Sequence, residues 1–285
     1  MKEILKKYGI KPSKRLGQNF LIDKNVLKKI IEAAELKPDD IILEIGPGLG
    51  ILTLELAKKV KKVIAVEKDR TLSQILKDVL KAEGINNVEV INKDILQISN
   101  FQFLISNYKI IANLPYYITS PVIRKFLESE SPPQEMILMV QKEVAQRICA
   151  KPPRMNLLAV AVQFYVHPVR NKISNGAEPE IISYVSRNSF WPQPKVDSAI
   201  IKIVPRVFGY LYPKTETERF FKLVKAGFSS KRKMLKNNLS STSLEARKIE
   251  KILKEIGLNP KIRAENLSIQ DWIKLYEIYN QISKK

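Results

Sequence analysis

Between residues 40 and 140, short β-branched runs alternate with amphipathic helical stretches. This alternation, more than any other feature, limits the chain to a parallel sheet with crossover helices. Strands are expected at 41–45, 62–66, 88–92, 109–112 and 135–140, with helices at 49–59 and 71–83, the second closed by Gly84. Two later runs, 181–186 and 198–204, can finish the sheet as a hairpin around Phe190-Trp191-Pro192-Gln193-Pro194. Beyond Pro205 the strand pattern stops, and a helical one begins near Glu216. The expected class is therefore α/β, a Rossmann-like, mainly parallel sheet within residues 1–205, followed by a small all-α domain over 206–285. Residues 1–39 read as an arm and helix, and 167–179, broken by Pro, Asn, Ser and Gly, as a surface loop.

Charge narrows the partner. The 285 residues carry 49 Lys+Arg against 29 Asp+Glu, a formal charge of +20, which points to a polyanion, with nucleic acid ahead of an anionic membrane. Residues 219–236 hold seven basic side chains and no acidic one, which reads as a basic helix. A single cysteine, Cys149, and a single histidine, His167, exclude an intrachain disulfide and a Cys/His zinc site, so no metal is expected. Cys149 is expected in the core and His167 in the exposed loop. No apolar run approaches the roughly 18 residues of a membrane span, and the first residues lack a signal-peptide core. A cytoplasmic protein without membrane attachment is the expectation.

The strand 41–45 runs into Gly46-Pro47-Gly48-Leu49-Gly50, where the backbone must turn sharply and lie against a ligand. A dinucleotide fingerprint needs Gly or Ala at position 51, which is Ile51, and no Gly-Lys-Ser/Thr follows to make a phosphate loop. Gly46, Gly48 and Gly50, with Glu44 two residues upstream, instead resemble the first motif of S-adenosylmethionine-dependent methyltransferases. Glu67, at the end of the next strand, can accept both ribose hydroxyls, and Asp94 can accept from the adenine amine. Taken alone, Asp94 reads as a helix N-cap ahead of a ligand contact.

Asn113-Leu114-Pro115-Tyr116 follows the fourth strand on the same edge of the sheet. An exocyclic aromatic amine is a poor nucleophile because its lone pair is delocalised into the ring. The Asn113 side-chain oxygen and a main-chain carbonyl at Leu114 or Pro115 can each take one amine hydrogen and stabilise the charge developing on nitrogen. Pro115 stiffens the turn, and Tyr116 offers a flat face to an extruded base.

Lys14 to Leu21, Glu44 to Gly50, Asn113 to Tyr116, Val140 to Ala145 and Phe190 to Ser198, in this order, resemble the ribosomal RNA adenine dimethyltransferase family, most closely its small-subunit branch. The resemblance implies contact with S-adenosyl-L-methionine by Asn19, Leu21, Gly46, Glu67, Asp94 and Asn113, and places the target adenine between Tyr116 and Phe190. It also implies RNA binding by Lys231, Arg232 and Lys233. The implied activity is transfer of two methyl groups to N6 of each of two adjacent adenines in a hairpin near the 3′ end of small-subunit ribosomal RNA. The expected partner is that RNA within a pre-30S particle, and the expected state a monomer. Two alternatives share the same motifs: the erythromycin-resistance methylases of large-subunit RNA, and a non-catalytic RNA-binding assembly factor. The chain departs from the family pattern at Arg154-Met155-Asn156-Leu157-Leu158-Ala159, and 167–179 looks inserted.

Overall fold

The computed structural model describes residues 9, 12–13, 16–98, 107–166, 178–205, 213–240 and 245–283. In chain order the strands are β1 (Phe20–Leu21), β2 (Ile41–Ile45), β3 (Lys62–Glu67), β4 (Val88–Asn92), β5 (Tyr108–Asn113), β6 (Met136–Gln141), β7 (Glu180–Val185), β8 (Phe190–Trp191) and β9 (Ser198–Ile203). The helices are α1 (Lys24–Ala33), α2 (Ile51–Ala57), α3 (Arg70–Ala82), α4 (Thr119–Leu127), α5 (Lys142–Ile148), α6 (Leu157–Val166), α7 (Lys214–Gly227), α8 (Leu235–Leu239), α9 (Ala246–Glu255) and α10 (Ile269–Ser283).

Seven strands form one sheet in the order β4-β3-β2-β5-β6-β9-β7. The first five are parallel neighbours, while β9 runs antiparallel between β6 and β7. The central strands are mostly apolar because helices cover both faces: Ile42, Leu43, Val63, Ile110 and Ile137 are fully buried. Asp23 and Asp69 cap α1 and α3 by accepting two backbone N–H groups each, which fixes where those helices begin. β7 and β9 complete the sheet as expected, but the segment between them does more than turn. Its Phe190–Trp191 pairs antiparallel with Phe20–Leu21 of the N-terminal arm, making a separate two-stranded sheet.

The chain divides into two units, residues 1–146 with 179–205, and residues 147–178 with 206–285. This differs from the division at residue 205 expected from sequence, because α6 packs with α7 and α10 in the helical unit. Phe164 of α6 stacks on Phe220 of α7 at 4.5 Å, and Tyr276 of α10 meets Phe220 edge-on at 5.6 Å. The departing stretch around 154–159 forms the start of α6, where Asn156 Oδ1 accepts from the N–H groups of Leu158 and Ala159.

Three expectations need correction or fall elsewhere. Residues 219–236 are not one helix: α7 ends at Gly227 and a turn carrying Lys231, Arg232 and Lys233 leads into α8. At the end of α7, Asn238 Nδ2 donates to the carbonyls of Gly227 and Ser230, and Trp272 packs so close to Gly227 that a Cβ there would lie 2.4 Å from the indole. Cys149 is half-buried instead of a full core residue. His167 and the expected insertion, apart from Glu178 and Pro179, lie outside the described residues, as do Lys14 and Arg15. Among the described residues no helix is long and apolar enough to cross a membrane.

Candidate active site

β2 has β3 on one side and β5 on the other, so the chain leaves it in both directions and a crevice opens at the carboxyl ends of β2 and β5. A cavity lies at that end of the sheet. Asn19, Leu21, Glu44, Gly46, Gly48, Glu67, Asp94, Asn113, Leu114, Pro115 and Tyr116 all line it. Gly50 does not. It caps α2 at φ +85°, where a Cβ would stand 2.5 Å from Leu76 of α3, so its role is to let the turn close against that helix.

The turn and the first acid form one unit. Gly48, at φ +59°, donates its N–H to Glu67 Oε2 at 3.1 Å, and the Asp69 N–H donates to Oε1 at 2.8 Å. A carboxylate has about four acceptor positions, so each Glu67 oxygen keeps one for a ligand hydroxyl. Burial pushes the Glu67 carboxyl above its ordinary range, and the amides of Asp69 and Gly48 oppose that rise. Asp94 is an N-cap, as its position taken alone suggests, and it lines the cavity. Its Oδ1 caps the turn at Ile95–Gln97 by accepting from the Leu96 N–H at 3.0 Å, while Oδ2 pairs with Lys68 at 2.9 Å. The lysine beside it holds the Asp94 carboxyl below the usual carboxylate range.

Glu44 is the anomaly of the cavity. It is 1% exposed, and its Oε2 has no hydrogen-bond partner among the described residues. The Thr53 hydroxyl also lacks one, so it acts on Glu44 only from beyond hydrogen-bond geometry. Burial pushes the Glu44 carboxyl up to about 8, opposed by Thr53 and reinforced by the charge of Glu67.

On the other side of the crevice, Asn113 ends β5 and lines the cavity, and its Nδ2 donates to the Asn19 carbonyl at 3.4 Å, which leaves Oδ1 as an acceptor. Pro115 starts a tight turn, its carbonyl accepting from the Ile118 N–H at 3.1 Å, whereas the Leu114 carbonyl takes no part in that turn. The Tyr116 hydroxyl lies 2.7 Å from Ser198 Oγ, which is fully buried at the start of β9. Burial raises the Tyr116 phenol, with Ser198 opposing and Asp197 adding to the rise. Asp197 is itself a staple: its carbonyl accepts from the Lys142 N–H and its Oδ1 from the Arg187 N–H.

The arm crosses the mouth of the cavity. Gln18 Nε2 donates to Asp69 Oδ2 at 2.9 Å, and the Tyr117 ring sits 3.4 Å from where a Gly17 Cβ would be. Phe190 is not brought to the cavity. Its ring is 3% exposed and packs in the core with Leu21, Leu27 and Ile30, because the β1–β8 pairing sets it opposite Leu21.

Residues 9–281 match the sequence profile of the family described as ribosomal RNA adenine dimethylase. The chain belongs to this family. The chain is 44% identical over 277 residues to the ribosomal RNA small subunit methyltransferase A of Dehalococcoides mccartyi strain BAV1, covering 96% of this chain and 90% of that relative. With the protein of the same name from Clostridioides difficile strain 630 it shares 42% over 294 residues, covering 100% and 96%. Among solved structures it is similar to a dimethyladenosine transferase from Plasmodium falciparum, with TM-score 0.76, 28% identity and coverage of 92% and 98%. The 23S rRNA methyltransferase ErmE gives TM-score 0.72 at 29% identity, covering 92% and 100%.

In this adenine dimethylase several residues that line or support the cavity went unassigned from sequence. Gln18 and Ser198 lie inside motifs that carried the family resemblance, but their spacing gives no sign that one ties the arm to α3 and the other holds Tyr116. Lys68 had no signal at all, since its pairing with Asp94 depends on β3 and β4 ending side by side. Lys231, Arg232 and Lys233 are exposed on their turn in the helical unit of the dimethylase.

Proposed function

We propose that this member of the adenine dimethylase family transfers methyl groups from S-adenosyl-L-methionine to N6 of two adjacent adenines near the 3′ end of small-subunit ribosomal RNA. The residues present fit that cofactor. Glu67 keeps acceptor positions for a ribose, Asp94 stands at the end of the next strand, and the buried, unpartnered Glu44 oxygen suits the cationic end of the molecule. The small-subunit target is supported by relatives over 40% identical and named for small-subunit RNA, against 29% for ErmE.

When bound, S-adenosylmethionine supplies a methyl group made electrophilic by its sulfonium sulfur. The chain's part is to make the adenine amine nucleophilic. Asn113 Oδ1 accepts one N6 hydrogen, and the Leu114 carbonyl, the one of the two candidates not engaged in the turn, accepts the other. Both hydrogens are then drawn into fixed directions, the nitrogen lone pair leaves conjugation, and the two acceptors stabilise the positive charge that develops. The methylated amine is acidic enough to lose its proton to solvent, so the site needs no strong base. Tyr116, held by Ser198, supplies the stacking face for a base out of its helix.

The observation that carries this reading is the meeting of Glu67, Asp94 and Asn113 in one cavity at the switch point of the sheet. It is tested by incubating the chain with labelled S-adenosylmethionine and small subunits lacking the modification, then mapping the labelled nucleotides. Label in two adjacent adenines of the small-subunit RNA supports it, whereas label only in large-subunit RNA favours the ErmE-like alternative.

A further inference from the structure

We propose that Glu44 senses charge in the cofactor pocket, holding a proton when the pocket has no ligand and releasing it as the cationic end of S-adenosylmethionine enters. Cofactor binding is thereby proton-coupled and selects against the product, whose sulfur is neutral. The inference rests on the reading of the pocket given above.

The geometry begins with an orphan. Glu44 lines the cavity from β2 at 1% exposure, the Thr53 hydroxyl on α2 is fully buried, and among the described residues neither Glu44 Oε2 nor that hydroxyl has a hydrogen-bond partner. An ionised carboxylate so placed lacks both water and a counter-charge, which makes the neutral acid the less costly form.

The groups that face it do not supply that counter-charge. From β3 comes Glu67, a second acid, 7% exposed and held by the amides of Gly48 and Asp69. Asp69 caps α3 and takes Gln18. At the end of β4, Asp94 is paired with Lys68, and Lys93 also lines the cavity. α2 lines the cavity only with Ile51 and Leu52, while β5 and the arm contribute the amides of Asn113, Asn19 and Gln18. Two carboxyls thus share the inner part of the pocket with no ion pair to either among the described residues. The rise of the Glu44 carboxyl to about 8 agrees with this placement.

S-adenosylmethionine carries an ammonium, a carboxylate and a sulfonium, one net positive charge, whereas S-adenosylhomocysteine carries none. The ammonium is common to both ligands, so it is the sulfonium of S-adenosylmethionine that adds a cation beside Glu44, favours the carboxylate and sends the proton to the buffer. No covalent bond to the ligand is made or broken.

The test is calorimetry on the full chain at pH 7 in phosphate and in Tris, whose ionisation enthalpies differ, with each ligand in turn. The expected result is release approaching about one proton per S-adenosylmethionine bound and much less per S-adenosylhomocysteine. S-adenosylmethionine affinity should rise with pH between 6 and 8 by at most about tenfold per pH unit. Glu44→Gln should bind with no net release and with a flat pH profile. If that variant does not fold, the comparison of the two ligands on the wild-type chain decides alone. Equal heats in both buffers, equal release for both ligands, or wild-type release by Glu44→Gln would overturn the proposal. Absence of any S-adenosylmethionine binding would instead overturn the reading of the pocket.

Discussion

The Tyr116 hydroxyl and Ser198 Oγ stand 2.7 Å apart, which joins the turn after β5 to the first residue of the antiparallel strand β9. The aromatic face proposed for the target base is thus oriented by a residue 82 positions away in sequence. Removing the ring should cost more than removing the bond. Tyr116→Ala should lower the methyl-transfer rate well below that of Tyr116→Phe, and Ser198→Ala should lower stability by about 1 kcal/mol. Single-turnover rates and urea denaturation measure the two effects. Equal rates for Tyr116→Ala and wild type would remove Tyr116 from the site.

Glu67 is held by two backbone amides before any ligand arrives, so its oxygens are already aimed. Glu67→Ala should weaken S-adenosylmethionine binding by removing charge-assisted hydrogen bonds, each contributing roughly 1.5 to 3 kcal/mol. Calorimetry reads the affinity. An unchanged dissociation constant would show that Glu67 only supports the glycine turn.

Glu44 gives stability a pH dependence of known sign. Burial pushes its carboxyl up to about 8 in the fold against an ordinary 4.5, so between these values the folded chain holds a proton that the unfolded chain has released. The unfolded state binds fewer protons there, and stability therefore falls as pH rises across this window. Glu44→Gln removes that slope, so relative to wild type it should be more stable at pH 8 than at pH 5. Urea titrations of the ligand-free chain at both pH values check this, and an identical difference at the two would contradict it.

The turn between α7 and α8 presents Lys231, Arg232 and Lys233 together, and Asn238 fixes its start through the Gly227 and Ser230 carbonyls. Charge reversal at these three positions should weaken binding to ribosomal RNA and reduce the log–log salt slope by about 0.7 to 0.9 for each phosphate the turn no longer neutralises. Cofactor affinity should stay the same. An unaltered salt slope would make the turn an ordinary solvated surface.

The parts of this chain legible in its sequence are those governed by local rules. The five parallel strands follow from short β-branched runs alternating with helical stretches, and the glycine turn from residues that must take positive φ at Gly48 and Gly50. What stayed hidden depends on distant pairing. A two-residue strand such as Phe190–Trp191 has no period to detect, yet its pairing with Phe20–Leu21 decides that Phe190 faces the core and not the cavity. The apolar run of α6 announces a helix without saying which unit buries it, and Phe220 and Tyr276 settle that only in three dimensions. Likewise, the unbroken basic composition of 219–236 masks the helix end at Gly227, whose carbonyl takes a hydrogen bond from Asn238, eleven residues on.

Asn113 carries the central claim, because one of the two acceptors proposed for the adenine amine is its side-chain oxygen. The decisive measurement is the single-turnover rate of methyl transfer to undermodified small subunits by wild type and Asn113→Ala, with S-adenosylmethionine affinity measured alongside. The account predicts dimethylated adjacent adenines from the wild type, and a variant that still binds the cofactor but is slower by about 10² to 10³. A variant that transfers methyl groups at the wild-type rate would contradict it.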